Sequence, residues 1–427
     1  MTTDVSQVEP VRKRRATADT GARVRNAAIL SVGMVLLLSA IRVGTNTGNL
    51  TSSGTFGAAL RLAVPIGLAA LGALYAERAG IINIGIEGMM VLGTWFGAWA
   101  GYQWGPWWGI GAGIAAGAAG GLLHAVATVS FGVDHIISGV AINILAPPLA
   151  RYLSVVTYVG TEGGGVTQSP RVDGSISQVS LPLLSGGFDG PDALGALEKK
   201  GWFLVSDVAG VLRGLTADVS LLVIVAVLLV PLTWWLLWRT AFGLRLRSVG
   251  EHPVAAESLG VNVYLYKYIA VVVSGGLAGI GGGFLALVAA SGFNTGQTGG
   301  RGFIGLAAMI FGNWRPGGLL AGALTFGYTD SLRLRNADAV HALLLLLAIG
   351  LLAFAAWRAV HGTWRSGAGI GVVGALLLVW YVSTDTVPRD FTSMTPYVTT
   401  LLVLALGAQR LRMPAADGQQ YRRGRVG

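Results

Sequence analysis

Hydrophobic residues along this chain fall into long runs that short polar or glycine-rich breaks separate. A helix needs about 20 mainly apolar residues to cross a bilayer, and most of these runs approach that length. The run at 302–312 is shorter and ends at the turn NWRPGG, which is typical of a half-helix surrounded by protein or a cavity. The pattern predicts an all-α, polytopic membrane helix bundle with about twelve passages, the half-helix included. The predicted passages are 27–41, 57–76, 80–101, 106–130, 134–158, 218–238, 268–290, 302–312, 317–333, 339–357, 368–384 and 394–410.

The polar segments between these runs predict the topology. Residues 1–26 are polar and basic without an apolar period, which favours a disordered cytoplasmic tail. The basic segment 239–267 and the basic tail 411–427 are also expected inside. Residues 159–217 are rich in Gly, Pro, Ser and Asp and predict a long external loop. An even number of passages through a transmembrane domain at 27–410 leaves both termini in the cytoplasm.

Composition agrees with a membrane protein and excludes several other classes. Of the residues, 53% are hydrophobic and 12% are charged, whereas soluble domains carry about 25% charged residues. The net charge of +10 fits positively charged cytoplasmic segments better than nucleic-acid binding, because no basic face coincides with a soluble fold. Cysteine is absent and the five histidines are scattered, so we expect no metal site and no catalytic residues. The 65 glycines fit helices that pack closely through small residues.

The stretch GIINIGIEGMM, at 80–90, places polar groups inside an apolar run. Ionisable groups at membrane depth are rare unless they face a bundle interior or a water-lined path. Asn83 and Glu87 are one helical turn apart and share a face, and they serve either path lining or interhelical packing. Asn143 presents the same two alternatives, and the polar loop 291–303 contacts a ligand or is a plain connection. The candidate path residues are Asn83, Glu87, Asn143, Asn294, Gln297 and Thr298.

The cytoplasmic stretch VGEHPVAAESLGVN predicts a short helix that docks into a groove on a partner. Pro253 suits the first turn, where its missing N–H costs nothing, and Gly260 supplies the stop. Between them Ala255, Ala256 and Leu259 are expected to form a small apolar face. The alternative is an ordinary loop with a helical turn. The predicted docking residues are Glu251, Pro253, Ala255, Ala256, Leu259 and Gly260.

Five ordered stretches resemble the inner-membrane permease subunits of ABC importers. They are ERAGIINIGIEGMMVLG, DHIISGVAINILA, FGLRLRSVGEHPVAAESLGVNV, GRGFIGLAAMIFGNWRPGG and PAADGQQYRRG. The branch includes ribose, branched-chain amino-acid and nucleoside permeases, and the INIGIEG form with the YRRG tail is most similar to the nucleoside (simple-sugar) members. The resemblance implies a permease of the bacterial inner membrane that translocates nucleosides, or alternatively a monosaccharide such as ribose.

The resemblance also implies partners. The short helix at 253–260 is similar to the coupling loop that docks into the ABC ATPase subunit. No GxxxxGK[ST] phosphate loop occurs in the chain, so no cofactor is expected here and ATP is bound by the separate ATPase. The other expected partners are membrane lipid, a second related permease in a heterodimer, and an extracytoplasmic substrate-binding lipoprotein.

One segment departs from the family pattern, and one rival class stays open. Residues 337–389 intervene where the family leads soon into its last helix, and they are long enough for an extra helix pair. A secondary transporter, the rival class, predicts inverted repeats and intramembrane carboxylates for ion coupling. Glu87 is the clear carboxylate and no convincing repeat is visible, which favours the ABC permease.

Overall fold

A computed structural model describes residues 32–423 except 189, 336, 361–363, 385, 389–390 and 392–410. The predicted tail at 1–26 and the last predicted passage at 394–410 lie outside the described residues.

Helices make up most of the described chain, because a backbone in hydrocarbon must satisfy its hydrogen bonds within the segment. The described residues form fifteen helices. The first eight are α1 (Val32–Thr45), α2 (Ser53–Arg78), α3 (Ile86–Trp104), α4 (Pro106–Ala125), α5 (His135–Tyr158), α6 (Ala193–Lys199), α7 (Val205–Thr216) and α8 (Leu221–Arg239). Seven follow: α9 (Ala241–Glu251), α10 (Pro253–Ser258), α11 (Val263–Phe284), α12 (Arg301–Phe311), α13 (Pro316–Arg335), α14 (Ala337–Val360) and α15 (Trp364–Ser383). Single π-helical turns at Val126–Ser130 and Leu285–Ala289 extend α4 and α11.

The membrane prediction is confirmed at the level of helices. Among the described residues, six helices are long and apolar enough to cross a membrane. The predicted half-helix is α12, which has 11 residues and is followed by a turn and by α13. The count of twelve passages stays a prediction, since α1 and α12 are shorter apolar helices and the last passage lies outside the described residues.

The predicted external loop at 159–217 contains local structure. It holds α6 and α7, and the strand β1 (Gln178–Val179) pairs antiparallel with β2 (Val219–Ser220). The pairing places Gln178 opposite Ser220, directly before α8 begins.

The described chain divides into two compact units where the sequence predicted one transmembrane domain. The first contains α1, α6, most of α7, α14 and α15, and the second contains the remaining helices and 411–423. The expected helix pair at 337–389 is present as α14 and α15, which pack against each other. The His341 ring stacks on the Tyr381 ring with centroids 4.5 Å apart.

A buried carboxylate organises the first unit. Asp207, on α7, is 1% exposed at its side chain, and one carboxylate oxygen lies 2.7 Å from Nε of Arg42 on α1. The hydroxyls of Ser39 and Thr51 also donate to this carboxylate. A buried charge is tolerated when it is paired and hydrogen-bonded, so Asp207 fixes α7 against α1.

Glycines make the core of the second unit possible. Helices α3, α4 and α11 approach so closely that a Cβ built on Gly117 would lie 2.2 Å from the Gly275 carbonyl oxygen. A Cβ on Gly279 would lie 2.1 Å from the Gly113 oxygen, and one on Gly93 would lie 2.6 Å from the Gly279 oxygen. Backbones meet along this seam, as small residues allow in membranes. The expected packing through small residues is confirmed.

Replacing Gly117 with valine should unfold or strongly destabilise the protein. The new side chain meets backbone atoms that cannot rotate away, so we expect a loss of at least about 3 kcal/mol, the upper end for overpacking. Thermal unfolding of the purified protein in detergent, followed by circular dichroism, measures the loss. Gly111→Ala is the matched control, because nothing lies within 4 Å of its Cβ position. Equal stability of both variants would contradict the glycine seam.

Candidate functional site

The candidate site is a break in the helical backbone between α2 and α3. Residues 79–85 leave the helix at Gly80, whose φ of +79° favours glycine. The chain then turns back into the bundle: the Asn83 amide donates to Ser274 Oγ at 2.9 Å, and Ser274 lies midway along α11. Non-helical backbone therefore lies at the depth of the bundle interior, where it is tolerated only inside protein or beside a cavity.

Asn143 closes the end of the break. Its Nδ2 donates to the Ile84 carbonyl at 2.9 Å, and its Oδ1 accepts from the Gly88 N–H at 2.7 Å. One side chain of α5 thus satisfies a carbonyl of the break and an orphan N–H in the first turn of α3, which has no partner inside the helix. These bonds support the packing alternative for Asn143.

Two histidines that the sequence reasoning did not assign to the site satisfy the middle of the break. His124 of α4 lies with Nε2 3.1 Å from the Ile82 carbonyl and Nδ1 2.8 Å from Ser138 Oγ. His135 of α5 accepts from the Ile82 N–H through Nδ1 at 3.4 Å. The sequence feature that could have identified His124 as a site residue is that it is an isolated polar residue in an apolar run. Asp134 caps α5 by accepting from the N–H groups of Ile136 and Ile137.

Glu87 joins two helix N-termini. It lies in the first turn of α3, and its carboxylate oxygens accept from the N–H of Gly300 at 2.9 Å and of Gly302 at 2.7 Å, at the start of α12. The positive ends of two helix dipoles therefore meet one carboxylate. Gly302 is necessary for this approach, because a Cβ there would lie 2.7 Å from Glu87 Cα. The sequence identified Glu87 but not its partner, since 213 residues separate Glu87 from Gly300.

The loop before α12 makes fewer direct contacts with the break. Asn294 is exposed, and its backbone N–H donates to Gln297 Oε1 at 2.6 Å, which folds the loop on itself. Thr298 is 4% exposed, and its carbonyl accepts from the Arg301 N–H at 3.0 Å. The structure thus brings Asn83, Glu87 and Asn143 together at the break, with Thr298 near the start of α12, and leaves Asn294 in an exposed part of the loop. Path lining by these six residues stays a prediction.

An ion pair near the start of α12 was also missed. Arg301 Nη2 lies 3.3 Å from Asp330 Oδ2, with the two side chains 18% and 11% exposed. The sequence signal for this pair is that Arg301 and Asp330 lie in two neighbouring apolar segments, where charged residues are rare. It links the first turn of α12 to α13.

The arrangement leaves two buried polar atoms without a hydrogen-bond partner among the described residues, Asn83 Oδ1 and His135 Nε2. Chemically, the site offers the amide oxygen of Asn83 as a neutral hydrogen-bond acceptor beside the carboxylate that Glu87 shares between two helix N-termini. No group of three or more metal-ligating side chains occurs among the described residues.

The predicted docking helix is present as α10, which follows α9. Pro253 is in its first turn and Gly260, with a φ of +82°, follows its end. Leu259 is 85% exposed, and Ala255 is exposed beside it. The prediction that Ala256 shares this face is wrong: Ala256 is 3% exposed and packs with Val249 and Val263. Residues 255 and 259 are one turn apart, whereas residue 256 is rotated by about 100° towards the chain itself.

Glu251 also faces the chain's own residues. Its Oε2 accepts from the Ala415 N–H at 3.2 Å, and its Oε1 lies 3.9 Å from Arg78 Nη1. Glu251 nevertheless remains exposed, with 48% of its side chain accessible, so the exposed surface of this region includes the end of α9 as well as α10.

Replacing Glu87 with alanine should destabilise the fold. The N–H groups of Gly300 and Gly302 would lose their acceptor, and a buried unsatisfied donor costs about 1–3 kcal/mol. Glu87→Gln keeps one acceptor oxygen but no charge, so its loss should be smaller. The control is Glu162→Ala, an exposed loop position, with an expected change within about 0.5 kcal/mol. Thermal unfolding in detergent measures the stability of the three variants. Unchanged stability of Glu87→Ala would contradict a structural role for Glu87 and leave path lining as its sole role.

Comparison with known proteins places these features in a family. A family model described as the permease component of the branched-chain amino acid transport system matches residues 55–356. The guanosine ABC transporter permease NupQ of Bacillus subtilis is 33% identical over 86% of this chain and 96% of its own. The nucleoside ABC transporter permease NupC of Lactococcus lactis is 32% identical over 84% and 93%.

A third relative is named for a different substrate. The putative glucose ABC transporter permease TsgC13 of Haloferax volcanii is 32% identical over 87% of this chain and 98% of its own. No solved structure matches the chain. The match over most of the transmembrane region, together with the broken helix and half-helix, shows that this chain belongs to the family of branched-chain amino acid transport system permease components.

Proposed function

We propose that this chain is the transmembrane permease subunit of an ATP-driven ABC importer that takes up nucleosides. The observation that carries the proposal is the similarity to NupQ and NupC over almost their whole lengths. The neutral polar groups at the break are consistent with an uncharged, polar substrate.

A monosaccharide is the second candidate substrate. The similarity to TsgC13 covers an equal share of the chain at nearly equal identity. Sugars and nucleosides both present hydroxyl groups, so the amide oxygen of Asn83 suits either. Two relatives with nucleoside names favour the nucleoside.

The proposed importer needs an ATPase from another chain. The exposed face of α10, with Ala255 and Leu259, is the proposed contact with the ATPase subunit, and its small apolar side chains suit a groove. ATP binding closes the ATPase dimer, moves α10 and changes access to the break. A lipoprotein on the outer side delivers the substrate.

A heterodimer with a second related permease is the favoured assembly. Bacillus subtilis has two permeases named for guanosine transport that both resemble this chain: NupQ at 33% identity and NupP at 24% identity over 64% of this chain. Two unequal permeases named for one substrate in one organism favour a heterodimer in which each contributes half of the path. The proposed location is the bacterial inner membrane, with twelve passages and both termini in the cytoplasm.

Uptake by the reconstituted complex tests the function. Proteoliposomes that contain this permease, its ATPase and its partner permease, supplied with the lipoprotein, should accumulate labelled guanosine only when ATP is inside with the ATPase. Glucose uptake without guanosine uptake would replace the nucleoside by the sugar. Absence of both from an assembled complex that hydrolyses ATP would contradict the proposal.

Substitution of Ala255 tests the ATPase contact. Ala255→Asp places an unpaired charge in the proposed interface, which costs upwards of about 1–3 kcal/mol, so affinity for the ATPase should fall at least about tenfold. Stability of the permease alone should be unchanged, because the position is exposed. Ala256→Asp should instead destabilise the permease itself.

Co-purification and thermal unfolding separate the two effects. Ala255→Ser is the control, since a small uncharged residue should bind nearly as wild type. Wild-type ATPase binding by both Ala255→Asp and Leu259→Asp would reject α10 as the contact.

A further inference from the structure

The C-terminal segment 411–423 contacts three separate elements of the second unit. It has no helix of its own, and several of its backbone groups bond to other elements. The Arg412 N–H donates to Asn313 Oδ1 at 2.7 Å in the turn between α12 and α13. The Ala416 N–H donates to the Gly250 carbonyl at 2.9 Å at the end of α9. We call residues 411–423 the strap.

The strap also touches the helix break. A Cβ built on Gly80 would lie 3.0 Å from the Ala416 carbonyl oxygen and 3.4 Å from Gly250 Cα. On the other side of Ala416, a Cβ on Gly418 would lie 2.8 Å from Ile82 Cδ1. Glycines at 80 and 250 therefore bring the strap, the end of α9 and the break into backbone contact, and Gly418 leaves room for the Ile82 side chain.

The strap ends against α10. The Tyr421 hydroxyl donates to a carboxylate oxygen of Glu257, and Arg423 Nε lies 3.0 Å from the other oxygen. The Tyr421 ring packs on the small cluster that contains Ala256, on the inward side of α10, and meets the Tyr264 ring with centroids 5.6 Å apart. The inward side of the proposed docking helix is thus held by the strap.

A buried carboxylate anchors the middle of the strap. Asp417 is 8% exposed and interacts with the charged groups of Glu77, Lys267 and Arg78, on α2 and α11. Burial raises the pKa of Asp417 to about 7. The positive charges of Lys267 and Arg78 offset part of the cost of burying this carboxylate and so hold the strap against α11 and α2.

We propose that the strap positions α10 relative to the break, so that movement of α10 reaches Asn83 and Glu87 through Tyr421, Asp417 and Ala416. The inference rests on the proposed function, because it assigns the route by which ATP hydrolysis drives that transport. Tyr421 and Glu257 are positioning residues: they lie on the inward side of α10, away from the proposed ATPase contact.

The first experiment measures substrate transported per ATP hydrolysed in the reconstituted complex. Tyr421→Phe removes one hydroxyl that donates to a charged group, a bond that contributes enough for about a tenfold effect. We expect the ratio of guanosine uptake to ATP hydrolysis to fall about tenfold, with ATPase co-purification retained and the unfolding temperature lowered by only a few degrees. Glu257→Gln should lower the ratio too, and the double variant should add little, since both remove one contact.

Arg423→Ala is the matched control. Its side chain is 81% exposed, and exposed ion pairs contribute little, so the ratio should remain near wild type. A wild-type ratio in Tyr421→Phe and in Glu257→Gln would overturn the strap proposal. Failure of the wild-type complex to transport guanosine would instead reject the proposed function, so the two failures are distinguishable.

Cross-linking provides a second readout. Because the chain contains no cysteine, a thiol-reactive cross-linker reacts in this chain only with the cysteines that are introduced. Glu251→Cys and Ala415→Cys, joined by a short bismaleimide, fix the strap to the end of α9. If the strap moves with α9 and α10, as proposed, the cross-linked complex keeps at least about half of its uptake. Loss of uptake on cross-linking, with the uncross-linked double variant active, would show a strap that must release and would overturn the proposal.

Discussion

The need to satisfy backbone polar groups at the break between α2 and α3 is the constraint on which the second unit depends. Non-helical backbone inside an apolar bundle costs free energy for each unpaired group. Side chains from α4 and α5 meet that need: His124 and His135 at Ile82, and Asn143 at Ile84 and Gly88. Glu87 of α3 does the same for the N–H groups at the start of α12. The same residue types that suggested a transport path thereby hold the interrupted helices in place.

Close approach of helices is the second requirement. Helices α3, α4 and α11 pack against one another in the second unit. Glycines along their contacts permit this, with backbone against backbone at Gly117 and Gly275. A seam of this kind is rigid, because it has no side chains that can change rotamer. Movement during transport is therefore expected at the break and at the junction of α3 with α12.

The region around α9 and α10 has two sides with different roles. Outward-facing Ala255 and Leu259 are exposed, whereas Ala256 and Glu257 contact residues of the same chain, the strap included. The region also connects the proposed ATPase contact to the break by a continuous set of hydrogen bonds and close contacts.

Sequence alone determined the helical class, the positions of most membrane helices, the half-helix at 302–312 and the existence of α10, because hydropathy, proline and glycine act locally along the chain. It also identified Asn83, Glu87 and Asn143, since polar residues are conspicuous in apolar runs. Only the tertiary structure showed what they bind: the partner of Glu87 is 213 residues away, and no local pattern encodes such a pairing. The inward orientation of Ala256 was likewise decided by contacts with Val249 and Val263, because a short apolar helix has two faces and its sequence does not say which one the rest of the chain will cover.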